Sequence, residues 1–115
     1  MKLFIYGTLK RGHSRAGALK EQRFLGEAQT VPKYRMVDCG DYPGLVAADE
    51  GVSIAGELWE VDQACLDMLD ELEGVSLNLF RRAAVELQPP YRNEEVVVYF
   101  YQGNTVGLPD CGACF

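Results

Sequence analysis

The sequence predicts an α+β domain of about six strands with one or two helices. Short apolar segments are separated by turn residues, one segment carries apolar residues at helical spacing, and no repeat or low-complexity stretch interrupts the 115 residues. A chain of this length is expected to form one domain with a real core. We place that domain at residues 1–108 and assign residues 109–115 to a C-terminal tail.

The strands are predicted from apolar runs and from alternation. Residues 82–87 alternate, with Ala83, Val85 and Leu87 on one face. Residues 95–101 (EVVVYFY) form the continuous run typical of a strand buried on both faces. Residues 41–44 (DYPG) predict a turn, because proline presets one backbone dihedral and glycine tolerates the next. The predicted strands are residues 3–6, 24–31, 34–38, 54–61, 82–87 and 95–101.

One helix is predicted over residues 63–73, which carry Cys65, Leu66, Leu69 and Leu72 at helical spacing. Asp62 is a suitable N-cap, and Gly74 supplies a C-terminal stop. A second, shorter helix is predicted over residues 14–20. The chain is therefore expected to combine a mainly β framework with one principal helix.

Composition excludes several classes of protein. The net charge of −6 leaves no basic stripe for a phosphate backbone, so nucleic acid is not an expected partner. No stretch approaches the roughly 20 apolar residues of a membrane span. The first residues, MKLFIYG, are too quickly interrupted for a signal peptide, so we expect a cytoplasmic protein with reduced cysteines and no membrane association.

Cys111 and Cys114 form a single CxxC pair near the end of the chain. A structural zinc site normally uses two such pairs, and Cys39, Cys65 and the single histidine, His13, do not complete one. An incidental tail and a metal or redox site both remain open, and no metal site is predicted.

Glu73 is the most informative polar residue. It lies four residues after Leu69 and seven after Leu66, on the stripe that should face the core. It also lies in the last helical turn, where the helix dipole disfavours negative charge. Burial and the dipole should both raise its pKa, as a general acid or base requires. The alternative is a surface charge that swings into solvent at a fraying helix end.

Two motifs carry a resemblance to a known family. A strand ending in YGTL at residues 6–9, followed by LDELEG at residues 69–74, resembles the γ-glutamylcyclotransferase family with its AIG2-like and γ-glutamylamine cyclotransferase branches. Between them, DYPG at 41–44 and GELWEVD at 56–62 are similar to the family's turn and pre-helix strand. The resemblance covers residues 3 to about 101.

The resemblance implies a small mixed β-barrel with a cavity and an enzyme that needs no metal or cofactor. The α-amine of a small γ-glutamyl substrate attacks its own γ-carbonyl, releasing an amine and 5-oxoproline. Glu73 would be the general base, and the backbone of Tyr6, Gly7, Thr8 and Leu9 would hold the glutamyl group. Main-chain N–H groups at a glycine turn suit the oxygen that gains charge as the ring closes.

One departure from the family pattern affects the expected activity. The family places a tyrosine six or seven residues after the glutamate, where this chain has Leu79 and Phe80. Phe80 is expected to line the pocket by packing, and Tyr42 is a candidate for its rim. The departure also supports an alternative, a binding module of the same fold that retains a glutamyl-like ligand without turning it over.

The basic residues near the two motifs are secondary candidates. Lys10, Arg11 and His13 could attract the carboxylates of a substrate or of its leaving group, although exposed basic loop residues are commonly only solvated. Arg81 or Arg82 could have an electrostatic role beside Phe80; a solvated strand arginine is the alternative. None of these is assigned to the catalytic set.

Overall fold

Seven strands form one mixed sheet, and a single α-helix packs on it. The structure is a computed structural model and describes residues 1–115. Two short 3₁₀ turns, Ala16–Leu19 and Val75–Leu77, lie in the connections. The regular elements are β1 (Lys2–Ile5), β2 (Arg23–Gln29), β3 (Tyr34–Asp38), β4 (Pro43–Ala47), β5 (Ala55–Glu60), α1 (Gln63–Leu72), β6 (Phe80–Ala84) and β7 (Val96–Tyr101).

The strand order places the two ends of the chain side by side. Along the sheet the order is β2-β5-β1-β7-β4-β3, and β6 pairs with β7 outside this path. β7 is therefore the central strand. It is antiparallel to β6 along its whole length and parallel to both β1 and β4.

Strands β1 and β4 share one edge of β7, and this creates a fork. β1 pairs with the start of β7 as far as Leu3 opposite Val97, whereas β4 pairs near its end through Leu45 opposite Phe100. The Tyr6 hydroxyl occupies the space between them. It donates to the Tyr99 carbonyl at 2.7 Å and accepts from the Leu45 N–H at 3.1 Å. One side chain thus supplies the link between two strands where the ladder is interrupted.

Helix α1 covers one face of the sheet. Asp62 caps it by accepting a hydrogen bond from the Cys65 N–H at 2.8 Å. Gly74, with φ of +65°, ends the helix in the left-handed conformation that favours glycine. The helix buries Leu66 and Leu69 against the side chains that alternate strand residues direct to this face, among them Leu3, Ile5, Phe80 and Tyr99. The opposite face carries a second core around Phe4, Met36, Leu58 and Val98.

The predicted α+β class is confirmed, and so is the principal helix. Strand 34–38 has the predicted bounds, while the strands predicted at 3–6, 24–31, 54–61 and 95–101 differ by one or two residues at their ends. The predicted helix at residues 14–20 is only a 3₁₀ turn.

Two predictions of local structure are wrong. Residues 41–44 were expected to form a turn, but Pro43 and Gly44 begin β4, a seventh strand. Proline is tolerated at the first residue of a strand, and a Cβ on Gly44 would approach the Tyr101 Cβ to 2.7 Å, so close strand packing explains this glycine. The strand predicted at 82–87 is shifted to Phe80–Ala84, because Phe80 pairs with Tyr101 and is buried.

The sheet is not closed into a barrel by continuous pairing. β2 and β3 are the terminal strands of the path, and no ladder joins them. An isolated bridge between Thr30 and Leu87 ties the end of β2 to the segment after β6. The expected small mixed barrel is therefore a curved, open sheet of seven strands.

Residues 109–115 lie against the sheet. The Asp38 N–H donates to the Pro109 carbonyl, the Cys111 N–H to Met36 and the Ala55 N–H to Ala113, all at 2.7–2.8 Å. The segment is thus bound to β3 and β5 by backbone hydrogen bonds. Its separation from the domain at residue 108 stays a prediction.

We expect Tyr6→Phe to lower the free energy of unfolding by about 1–3 kcal/mol, because the buried Leu45 N–H and Tyr99 carbonyl lose their shared partner. Chemical denaturation measures the change. Tyr42→Phe is the matched control, since the Tyr42 hydroxyl makes no hydrogen bond in the protein, and it should change stability by less than about 0.5 kcal/mol. Equal losses in the two variants would contradict the assigned role of Tyr6.

Candidate active site

A pocket opens at the fork between β1 and β4. Space of about 400 Å³, part of it open to solvent, lies among residues from the ends of five elements. All six residues predicted for the site line it, together with six others. The predicted six are Tyr6, Gly7, Thr8, Leu9, Glu73 and Phe80, and the other six are Phe4, Ile5, Arg15, Tyr42, Pro43 and Tyr99.

Gly7, Thr8 and Leu9 of the loop after β1 line this pocket. The Gly7 carbonyl accepts from the Lys10 N–H at 3.0 Å, and the Thr8 carbonyl accepts from the Arg15 N–H at 2.8 Å. The N–H groups of Gly7, Thr8 and Leu9 donate no hydrogen bond within the protein. Since buried or half-buried N–H groups normally find acceptors, these three are available to a ligand.

Gly7 is required by a close approach. A Cβ on this residue would lie 2.9 Å from Cγ and 3.2 Å from Cδ of Pro43. The glycine therefore lets the loop after β1 approach the first residue of β4 at the fork. The two sides of the pocket meet at this contact.

Glu73 lies at the C-terminal end of α1. It is the C-cap residue, with its N–H donating to the Leu69 carbonyl at 2.8 Å. Its side chain is half-buried and forms no hydrogen bond or ion pair with another residue. Burial raises the pKa of Glu73, and the positive charge of Arg15 opposes the rise. The carboxylate is therefore poorly solvated and unengaged, as a proton acceptor for a ligand should be.

A second carboxylate on the same helix is fully engaged. Asp70 accepts from the Tyr99 hydroxyl at 2.7 Å and from Nη2 of Arg82 at 3.1 Å. Arg82 Nε lies 3.1 Å from Asp70 Oδ1 without the alignment of a hydrogen bond. The β6–β7 pairing places Arg82 opposite Tyr99, so both side chains reach Asp70 from the sheet. Burial and the bonded Asp70 raise the pKa of Tyr99.

Three tyrosines border the pocket, and each has a different status. Tyr6 is fully buried with its hydroxyl bonded at both ends, and burial raises its pKa so that it stays protonated and can donate. The Tyr99 hydroxyl is bound to Asp70. Tyr42 retains an uncommitted hydroxyl, and burial raises the pKa of Tyr42 too. Tyr42 is thus the phenol available to a ligand.

Phe80 packs as an aromatic wall of the pocket. Its ring centroid lies 5.8 Å from that of Tyr42 and 5.5 Å from that of Tyr101. Leu79 does not line the pocket and is 38% exposed. Of the two positions considered for the family tyrosine, only Phe80 faces the site.

Three basic residues of the loop, Lys10, Arg11 and His13, do not line the pocket. Lys10 is buried with Nζ 2.8 Å from the Phe115 carbonyl oxygen. The Arg11 guanidinium bonds Glu57 at 3.0 Å and stacks on the Phe24 ring, 3.8 Å from its centroid. His13 packs on the Phe115 ring. These residues therefore anchor the loop, and Arg81 likewise lies over the Phe100 ring at 5.0 Å.

Sequence reasoning missed two polar residues of the pocket, Arg15 and Tyr99. Arg15 falls in the segment predicted as helix, where no periodicity marks it for the site. Tyr99 lies inside a continuous apolar run, from which the face of each side chain cannot be read. Only the register of β6 against β7 shows which way Tyr99 points, and the predicted bounds of β6 were shifted from the observed ones.

The cysteines and the helices show no further site. No group of three His, Cys, Asp or Glu side chains lies close enough to hold a metal ion, and all four cysteines are unbridged. Cys114 Sγ lies 3.6 Å from Lys10 Nζ. None of the helices has the length and apolar character that crossing a bilayer requires.

The sequence and the fold are similar to those of known proteins. The model of the gamma-glutamyl cyclotransferase, AIG2-like family matches residues 3–112. A Vibrio cholerae protein provisionally named as a gamma-glutamylcyclotransferase is 37% identical over 110 residues, 96% of this chain and 91% of that protein. The gamma-glutamylaminecyclotransferase of Rattus norvegicus is 33% identical over 94 residues, 75% of this chain and 62% of that protein. A crystal structure of an AIG2-like protein from Mus musculus has a TM-score of 0.83 at 27% identity, covering 99% of this chain and 87% of that chain.

Burial of Glu73 predicts a pH-dependent stability. Because its folded-state pKa is raised, the ionised carboxylate destabilises the fold; this effect is absent below the unfolded pKa of about 4.3 and develops as pH rises through the folded pKa. Glu73→Gln should therefore be more stable than wild type at pH 8, with the difference closing towards pH 4. Denaturation across this range measures it.

Glu71→Gln, at an exposed position of the same helix, is the control and should show no such divergence. A Glu73→Gln difference that is constant with pH would contradict the burial of the charged form.

Proposed function

Because the chain belongs to the gamma-glutamyl cyclotransferase, AIG2-like family, we propose that it releases 5-oxoproline and a free amine from a γ-glutamyl amine or γ-glutamyl amino acid. The observation that carries this proposal is one pocket in which an unengaged carboxylate, Glu73, accompanies three unengaged main-chain N–H groups. These are the two kinds of group that an intramolecular acyl transfer needs.

Glu73 acts as the general base. It takes a proton from the substrate α-ammonium, and the freed amine attacks the γ-carbonyl carbon to form the new C–N bond. The ring nitrogen then loses its second proton to solvent, the original amide C–N bond breaks, and the leaving nitrogen receives the proton that Glu73 holds, so 5-oxoproline and the free amine are formed. Burial raises the pKa of Glu73, which favours uptake of a proton, and the positive charge of Arg15 opposes the rise.

The loop after β1 stabilises the oxygen of the reacting carbonyl. As the ring closes, negative charge develops on this oxygen, and the N–H groups of Gly7, Thr8 and Leu9 are donors without internal acceptors. Fixed main-chain donors in a water-poor site need no reorganisation when the charge appears. Because Gly7 is held against Pro43, the donors are positioned before substrate binds.

Holding the glutamyl chain folded supplies the rest of the rate. The nucleophile and the carbonyl belong to one molecule, so the enzyme must only bring them into attack geometry. The aromatic wall of Phe80 and Tyr42 and the small volume at the fork favour a compact, folded chain. The reaction therefore depends on shape as well as on the base.

We expect wild-type protein to release 5-oxoproline from at least one member of a panel of γ-glutamyl amines and γ-glutamyl amino acids. Glu73→Gln should lower kcat about 10²–10⁴-fold, the usual contribution of a general base. Glu71→Gln, two residues away and exposed, is the control and should retain the wild-type rate. A Glu73→Gln enzyme with full activity would remove Glu73 from the mechanism.

Phe80 supports a second candidate, a binding module that holds a glutamyl-like molecule without turnover. A phenylalanine at the position of the family tyrosine supplies no hydroxyl, although Tyr42 lies against it with its own hydroxyl uncommitted. Calorimetry with 5-oxoproline separates the two candidates. Saturable binding without product from any substrate supports the module, and neither binding nor turnover rejects both.

A further inference from the structure

Arg15 is the only basic side chain that lines the pocket. Its main chain is fixed to the functional loop, since its N–H donates to the Thr8 carbonyl at 2.8 Å. Arg15 also borders a more open groove outside the pocket, which it shares with Met68, Glu71 and Leu72 of α1. The guanidinium therefore lies at the mouth, where the pocket meets solvent.

The Arg15 guanidinium has no hydrogen-bond or ion-pair partner in the protein, unlike three other cations of the loop and of β6. Lys10 is bonded to the Phe115 carbonyl, Arg11 to Glu57 and Arg82 to Asp70. One positive charge at the pocket is left without an ion-pair partner, and it lines the same pocket as Glu73, where it opposes the rise that burial causes in the pKa of Glu73.

The charges of the pocket match those of an α-amino acid head group. A γ-glutamyl compound carries an ammonium and a carboxylate on one carbon, and Glu73 and Arg15 provide one opposite charge for each. Without a cation nearby, the substrate carboxylate would enter a poorly solvated space beside Glu73 and be repelled by it. A guanidinium suits this position because its planar fork can bind both carboxylate oxygens.

The α-carboxylate is a better partner for Arg15 than a carboxylate on the leaving group. It is present on every γ-glutamyl substrate, and it is attached to the carbon whose amine must reach Glu73. The leaving group varies between substrates and carries no charge in simple γ-glutamyl amines. A cation close to Glu73 therefore meets the α-carboxylate whenever the amine is placed for reaction.

We propose that Arg15 binds the α-carboxylate of the γ-glutamyl group and restricts the site to substrates in which this carboxylate is free. The inference rests on the proposed cyclotransferase function. Attraction of substrate carboxylates, for which the sequence analysis considered Lys10, Arg11 and His13, is thereby assigned to Arg15.

The test compares kcat/KM of wild type and Arg15 variants on substrates that carry or lack the α-carboxylate or a carboxylate on the leaving group. Arg15→Gln should lower kcat/KM at least about 10-fold for γ-glutamylethylamine, whose only carboxylate is the α-carboxylate, as expected for loss of a charged hydrogen bond. With the corresponding α-carboxamide, wild type and Arg15→Gln should agree within about twofold. Arg15→Lys should recover part of the loss. Lys20→Gln, an exposed charge near Arg15 in the chain, is the control and should have no effect.

γ-Glutamylalanine serves to separate the two carboxylates. A loss on Arg15→Gln that is confined to this substrate, and absent with γ-glutamylethylamine, would assign Arg15 to the leaving group and overturn the inference. Equal losses with the free carboxylate and the α-carboxamide would show a merely structural role and overturn it as well.

Product binding distinguishes failure of this inference from failure of the proposed function. By calorimetry, Arg15→Gln should weaken the binding of 5-oxoproline at least about 10-fold and leave the affinity for 5-oxoprolinamide unchanged. This result without turnover by wild type would reject the cyclotransferase and retain the role of Arg15. Turnover by wild type with binding independent of Arg15, or no binding of 5-oxoproline at all, would reject the role of Arg15.

Discussion

The Tyr6 hydroxyl is the interaction on which the pocket depends. Two strands compete for one edge of β7, and neither can pair with it over the full length. The gap would leave main-chain groups without partners inside the protein, and a single neutral phenol satisfies one donor and one acceptor there. For this reason β1 and β4 can diverge without leaving these main-chain groups unpaired. The loop of Gly7 to Leu9 and the start of β4 at Pro43 can then form opposite sides of a cavity.

Near this fork, two carboxylates at the C-terminal end of α1 have different surroundings. Asp70 is held by Tyr99 and Arg82, so its charge is compensated and it supports the floor of the site. Glu73, less than one turn later, has no such partners, and burial raises its pKa. Pairs of titratable groups whose surroundings differ in this way are common in sites that move protons. Lys10 and Arg11 stabilise the loop from the side away from the cavity, so the basic residues beside the YGTL segment are structural supports.

The sequence predicted the local features and missed those that depend on partners distant in the chain. Helix α1 has a cap, a periodic apolar stripe and a glycine stop, all readable within residues 62–74. The motif residues that the family resemblance supplied lie around one pocket. Strand β4 was missed because Pro43 and Gly44 are turn residues by composition, and only packing against Gly7 and Tyr101 explains them. The ion pair of Asp70 could not be read from the sequence for a similar reason, since its partners belong to strands twelve and twenty-nine residues further on.

The same long-range contacts govern when the site can exist during synthesis. The loop of Gly7 to Leu9 is synthesised long before its partners, because the carbonyl that holds Tyr6 belongs to Tyr99, 93 residues later. The intervening chain must be nearly complete before β7 can enter the sheet between β1 and β4. A partly made chain therefore has the motif without the cavity, and contacts of such large sequence separation form slowly. Ligand binding by a nascent chain would consequently report the arrival of β7, a late event of folding.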